Sequence, residues 1–132
     1  MKQRKLQRKI NKSHLHILWA KQVKDRDGWR CQLCGKNCGK LGGHAHAHHI
    51  MRKQSTFMRY NIENGITLCA GCHKFGVHSP DGEVAFECLQ RLIDKIGSER
   101  WVRLRAWKQN PPKMKLFEAV EQFGLTDNGD KT

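Results

Sequence analysis

The sequence predicts a small α+β fold, and three features of its 132 residues predict it. Two C-x-x-C pairs, Cys31-Gln32-Leu33-Cys34 and Cys69-Ala70-Gly71-Cys72, stand about three dozen residues apart. Between them His44, His46 and His48 alternate with Ala45, Ala47 and His49, the period-two pattern of a strand. On either side, apolar residues recur every three or four positions, as on one face of a helix. Each short cysteine step supplies two thiolates, and the intervening chain lets the two steps meet, which is what one tetrahedral zinc requires. The length allows one domain, residues 1–132, with a modest core.

Residues 1–12 form a basic, weakly amphipathic arm, expected to order on an acidic partner. A helix follows over 13–28: Ser13 can cap it, Leu15, Leu18, Trp19 and Val23 line its apolar face, and Asp27-Gly28 closes it. Residues 29–79 hold both cysteine pairs. There Gly35, Gly39, Gly42 and Gly43 mark turns before the histidine strand, residues 51–63 form a loop, and Ile66-Thr67-Leu68 is a second strand delivering Cys69. A short helix is expected from Cys72 or His73, limited by Gly76 and Ser79-Pro80. Residues 81–124 are helical. Glu83–Ile96 carries Val84, Phe86, Leu89, Leu92, Ile93 and Ile96 for packing, Gly97 ends it, Ser98 caps Glu99–Lys108, and Lys115–Phe123 follows Asn110-Pro111-Pro112. The remainder, 125–132, reads as a frayed tail.

Charge is distributed unevenly. Residues 1–80 hold sixteen Lys/Arg against Asp25, Asp27 and Glu63, whereas 81–132 hold nine of each sign, so the whole formal excess of +13 lies in the half carrying the cysteines and histidines. A polyanion gripped near that constellation is the matching partner, the alternative being a merely solvated basic face. No stretch is apolar enough to span a bilayer, and Met1-Lys2-Gln3-Arg4-Lys5 leads into basic sequence instead of a secretory core. The expectation is a reducing cytoplasm, bacterial or that of a phage-infected host, where paired cysteines are metal ligands more often than disulfides. A redox dithiol is disfavoured by the absence of a thioredoxin-like βαβ pattern. Cys38 lies close enough to Cys34 to be an alternative ligand, and Cys88 falls on a helix's apolar side as ordinary core.

His48-His49-Ile50, then Asn64 fifteen residues after His49, then Cys69-x-x-Cys72-His73 with His73 nine residues after Asn64, resembles the motif of the HNH nucleases of the ββα-metal family. The resemblance runs from Trp29 to His78 and fixes eight residues in order. The flanking helices are similar to those of small free-standing phage or bacterial HNH proteins. The fold implied is a zinc-clasped ββα-metal core flanked by N- and C-terminal helices, with Cys31, Cys34, Cys69 and Cys72 holding the structural zinc.

Adjacent strand residues point to opposite faces, so His48 and His49 must divide the labour. The resemblance implies that His48 binds a divalent cation and that His49 is the general base, a role suited to an unperturbed pKa of about 6.5. Asn64 is then expected to accept a hydrogen bond from the other nitrogen of His49 and fix its tautomer, and His73 to be the second metal ligand. Relatives place a further histidine four residues on. Here His78 is five residues beyond His73, after Gly76, so the third ligand is either His78 or a water or phosphate oxygen.

Arg52, Lys53, Arg59 and Lys74 are the phosphate-contact candidates, each weighed against plain surface charge. His44 and His46 read as spectators or weak phosphate contacts, and an adventitious histidine tract is the bland alternative. The function implied is metal-dependent hydrolysis of DNA phosphodiesters leaving 5′-phosphate and 3′-hydroxyl ends. Magnesium or manganese is the first choice of catalytic ion, and zinc, nickel or cobalt also suit imidazole ligands. The partner is DNA, with neither membrane nor small-molecule substrate. The rival class is a non-enzymatic zinc-ribbon binder, which would have no use for an oriented base. Within the nuclease class, a structure-selective enzyme for branched DNA is the variant. Sequence specificity, oligomeric state and DNA-versus-RNA preference leave no mark on the chain.

Overall fold

The computed structural model describes residues 11–39 and 44–126. Most of the basic arm, the Gly42-Gly43 turn and the end of the tail therefore lie outside the described residues. In chain order the elements are α1 (Lys12–Arg26), β1 (Ala45–His49), α2 (Thr56–Tyr60), a 3₁₀ turn (Ile62–Asn64), β2 (Gly65–Cys69), a π-helix (Cys72–Val77), α3 (Gly82–Ile96), α4 (Ser98–Gln109) and α5 (Leu116–Phe123). This is an α+β arrangement: one antiparallel two-stranded sheet among helices.

Helix α1 starts two residues earlier than a Ser13 cap allows, because Asn11 is the cap. Its Oδ1 accepts from Ser13 N at 2.8 Å and His14 N at 3.4 Å, satisfying donors that the first turn leaves free. Its buried face is Leu15, Leu18, Trp19 and Val23, packed with Tyr60, Ala119 and Leu125. At its C-terminal end Asp27 Oδ2 accepts from Thr67 N at 2.8 Å and Arg26 donates to Gly65 O at 2.7 Å, so α1 is bonded along β2. Strand β2 is buried at all five positions, and its register pairs His48 with Ile66 and His49 with Gly65. A second cluster, around Cys31, Cys38, Ala45, Ile66, Leu68 and Leu92, sits between the first cysteine step and α3.

Further expectations are corrected. The loop 51–63 contains helix α2, a single turn that Ser55 caps by accepting from Met58 N at 3.1 Å and that buries Phe57, Met58 and Tyr60 against Leu104 and α5. Helix α3 buries only Leu92; Val84, Phe86 and Leu89 stay 37%, 60% and 37% exposed. It approaches the π-helix so closely that a Cβ at Gly76 would lie 3.0 Å from Cys88 Sγ, so half-buried Cys88 serves at this crossing and not in a sealed core. In α4, Ser98 is the first helical residue and Gly97, at φ +90°, occupies the cap position without a side-chain bond. Among the described residues no helix is long and apolar enough to cross a membrane.

Candidate metal centres and catalytic cleft

The ligand atoms of Cys31, Cys34, Cys69 and Cys72 lie within 4.8 Å of one another. Zn–S bonds of about 2.3 Å in a tetrahedron require sulfur separations of about 3.8 Å, and Cys34 Sγ lies 3.7 Å from Cys69 Sγ. Within each step the second cysteine's N–H points at the first one's sulfur, Cys34 N to Cys31 Sγ at 3.5 Å and Cys72 N to Cys69 Sγ at 3.4 Å, a donor arrangement that favours thiolate. Burial opposes ionisation of Cys31, yet the surrounding backbone donors bring it down to about 7, while burial and the neighbouring sulfurs push Cys72 upward. Four sulfurs this close cannot all ionise without a cation among them, and the donor set fits zinc. Cys38 is not a member: its buried Sγ faces Lys36 O at 3.7 Å.

A second group is His48, His73 and His78, whose ligand atoms also lie within 4.8 Å of one another. His48 comes from β1, His73 from the π-helix and His78 from just beyond it. The five-residue spacing of His73 and His78 is resolved by the winding. A π-helix bonds i to i+5, and His78 N donates to His73 O at 3.1 Å, so residues five apart stack on one side. Their ring centroids are 4.7 Å apart, and that of His48 is 5.2 Å from His73 and 5.1 Å from His78. Burial, then the neighbouring imidazoles, hold His48 down to about 3 and His73 to about 4, so both are neutral near pH 7, the form that ligates a cation. Three imidazoles around one point fit a divalent ion with open positions.

His46, which the sequence gives no clear task, also reaches this group. Its Nδ1 lies 2.8 Å from His73 Nδ1, so one ring carries the proton and the other accepts it. This arrangement leaves the Nε2 edge of His73 for a ligand, the usual service of a residue behind a metal-binding histidine. His44 is exposed.

His49 is held differently. Its Nε2–H donates to Arg59 O at 2.8 Å, which leaves Nδ1 as the unprotonated nitrogen. Its ring stacks on Trp19 with centroids 3.9 Å apart and planes 5° from parallel. Burial is the main cause that lowers its pKa to about 4, with the Arg59 carbonyl opposing and Lys53, His16 and Arg59 charges assisting, so this ring is also neutral near pH 7.

The expected bond from Asn64 to His49 is absent. Asn64 is fully buried; its Oδ1 accepts from Met51 N at 2.8 Å, and its Nδ2 donates to Met51 O at 3.1 Å and Met58 O at 2.8 Å. It staples the 51–58 segment to the start of β2, and the same segment runs on to Arg59, whose carbonyl holds His49. The amide reaches His49 only through the loop, because its oxygen and both of its hydrogens are bonded to backbone groups.

His48, His49, His73 and His78 face one open cleft of about 690 Å³, lined also by His16, Ala47, Ile50, Met51, Arg52, Lys53 and Gln54. Residues 31–75 match the HNH endonuclease family model. That match points to a nuclease-type function, and it ends before His78 and begins after α1. Comparison with curated proteins and comparison with solved structures each returned no match. Of the cationic candidates, Arg52 and Lys53 line this cleft, Arg59 contributes its carbonyl, and Lys74 is exposed on the π-helix beside His73.

Sequence reasoning overlooked His16 and Trp19. The heptad-like pattern in α1 marks Trp19 as core, and core it is, but one face of the indole covers His49. His16 borders the cleft with its ring 5.9 Å from His49 and 5.5 Å from Trp19. Its spacing of three residues from Trp19 was the available signal, since such pairs share a helix face.

Proposed function

We propose that this protein is a metal-dependent endonuclease that hydrolyses DNA phosphodiester bonds with His49 as general base. The observation that carries the reading is the shared cleft, into which three convergent imidazoles open together with a fourth whose proton is committed to a backbone carbonyl. His48, His73 and His78 would hold a divalent cation, and His46 would keep His73 in the ligating tautomer. When bound, the cation polarises the scissile phosphate and stabilises the departing 3′ oxygen. His49 Nδ1 takes the proton of the attacking water while Arg59 O holds Nε2–H, and products with 5′-phosphate and 3′-hydroxyl ends follow. Arg52 and Lys53 meet the flanking phosphates, and Arg59 and Lys74 add positive potential at the rim. An all-imidazole donor set weighs toward manganese, zinc, nickel or cobalt over magnesium, which prefers oxygen ligands. The whole chain acts as one nuclease domain, since α1 supplies His16 to the same cleft and Trp19 to the buried face of His49, and zinc held by Cys31, Cys34, Cys69 and Cys72 keeps the core folded.

The test is incubation of supercoiled plasmid with purified protein across a series of divalent ions and EDTA, with His49→Ala alongside. Cleavage that needs a divalent ion and slows by about 10² to 10⁴ in the variant, with ion affinity retained, is the expected result. Tight DNA binding without cleavage in any ion would instead identify a non-enzymatic zinc-ribbon binder.

A further inference from the structure

We propose that Trp19, supplied by α1 from outside the HNH segment, is a positioning residue that sets the plane of the His49 imidazole; the proposal rests on the reading of His49 as the base. The two rings are 3.9 Å apart and nearly parallel. The indole is itself immobile: it is fully buried, and its Nε1–H donates to Asn61 O at 3.0 Å. Two residues upstream, Arg59 O receives His49 Nε2–H at 2.8 Å. The plane of the base and its direction within that plane are thus both referred to the short segment 59–61. An imidazole's χ2 is otherwise a broad, roughly two-fold torsion, so a strand side chain needs such external constraint to aim one nitrogen.

The sheet is shaped to admit this stack. Gly65 is the register partner of His49, and a Cβ there would lie 2.7 Å from Trp19 Cζ2 and 2.5 Å from Val23 Cγ2. The indole fills the space that any other residue at position 65 would claim. The only hydrogen bond of the His49 side chain among the described residues is the one it donates to Arg59 O, which fixes one atom and leaves rotation about that bond to be stopped by the indole face.

The experiment compares Trp19→Leu and Trp19→Phe, each alone and combined with His49→Ala, in zinc-loaded protein. Single-turnover cleavage at saturating DNA and manganese, manganese affinity by calorimetry, and the ring-proton shifts of His49 by NMR are read for each. In the wild-type protein the His49 ring protons should resonate upfield of those of exposed histidines under the indole ring current. Trp19→Leu should abolish that shift and slow cleavage by about 10- to 10²-fold, the scale of a misplaced catalytic group. KM and manganese affinity should stay constant, and Trp19→Phe, which keeps an aromatic face, should recover most of the rate. Combined with His49→Ala, Trp19→Leu should cost nothing more. Equal losses in both backgrounds would overturn the proposal by making Trp19 a purely structural residue, as would ordinary His49 shifts in the wild-type protein. If Trp19→Leu does not fold, the wild-type shifts and the Trp19→Phe rate decide. A wild-type rate in His49→Ala overturns the base reading, and the proposal with it, by a distinct outcome.

Discussion

Replacing Asn64 by Ala separates two ways in which a buried amide can serve a nuclease site. The side chain is fully buried and makes three bonds, to Met51 N, Met51 O and Met58 O, at 2.8, 3.1 and 2.8 Å. Alanine leaves one backbone donor and two acceptors without these partners in a site closed to water. A buried group left unsatisfied costs about 1–3 kcal/mol, with carbonyls toward the lower end, so the sum is about 3–5 kcal/mol. Against a total stability of about 5–15 kcal/mol that is a large fraction, and for a chain of this size it lowers Tm by roughly 10–20 °C. The released 51–58 segment also lets Arg59 O drift from His49, so the rate at saturating DNA should fall while divalent-ion affinity, for which His48, His73 and His78 are the proposed ligands, is kept. Calorimetric melting with zinc present gives the first quantity and single-turnover cleavage below the new Tm gives the second. A variant that lost activity with Tm shifted by less than about 2 °C would refute the loop-staple argument and return Asn64 to a direct catalytic role. Asn64→Asp sharpens the comparison, because it keeps the acceptor but turns the donor into a buried charge facing two carbonyls, and should melt no higher than the alanine variant.

Removing zinc with a strong chelator, or replacing any one of Cys31, Cys34, Cys69 and Cys72 with Ser, should collapse the sheet. Metal binding of this kind is folding free energy, and loss of zinc with unchanged circular dichroism would contradict it. His78→Ala should weaken divalent-ion binding by calorimetry as His48→Ala and His73→Ala do, and His46→Ala should weaken it by about 10- to 100-fold as a residue behind a ligand; unaltered affinity in His46→Ala would show its bond to His73 to be incidental. Gly65→Ala should cost about 1–3 kcal/mol in chemical denaturation, since its Cβ meets two fully buried side chains at 2.5 and 2.7 Å, and should slow cleavage by tilting the indole; wild-type stability would mean that α1 can slide outward freely. Deleting residues 1–10 removes Lys2, Arg4, Lys5, Arg8 and Lys9, and should lower the log–log salt slope of duplex binding by up to about 4–5 units if all five contact phosphates; an unchanged slope in fluorescence anisotropy would place the grip on Arg52 and Lys53.

What the sequence discloses and what it conceals divide along a physical line. Groups that could hold one metal must meet within a few ångströms, and short fixed spacings meet that demand locally, so the convergence of both cysteine steps, and of His48 with His73, was legible. His78 was half legible. Its five-residue offset from His73 conflicts with an α-helical turn of 3.6 residues and fits only when the segment winds as a π-helix, which His78 N confirms by reaching His73 O. Asn64 was legible as a residue and not as a bond, because its partners are backbone groups that every residue possesses. The stack of Trp19 on His49 left no trace at all: thirty positions separate the two, and an apolar aromatic on a helix face looks the same whether it covers aliphatic core or an imidazole. The candidate donors of both centres other than His78 lie within the matched segment, yet the groups that touch the His49 ring are the indole of α1 and a carbonyl presented by α2. Chemistry that must be held in plane is therefore supplied by tertiary packing, and a graft of residues 31–75 alone onto another scaffold should bind zinc through its four cysteines while leaving His49 free to turn.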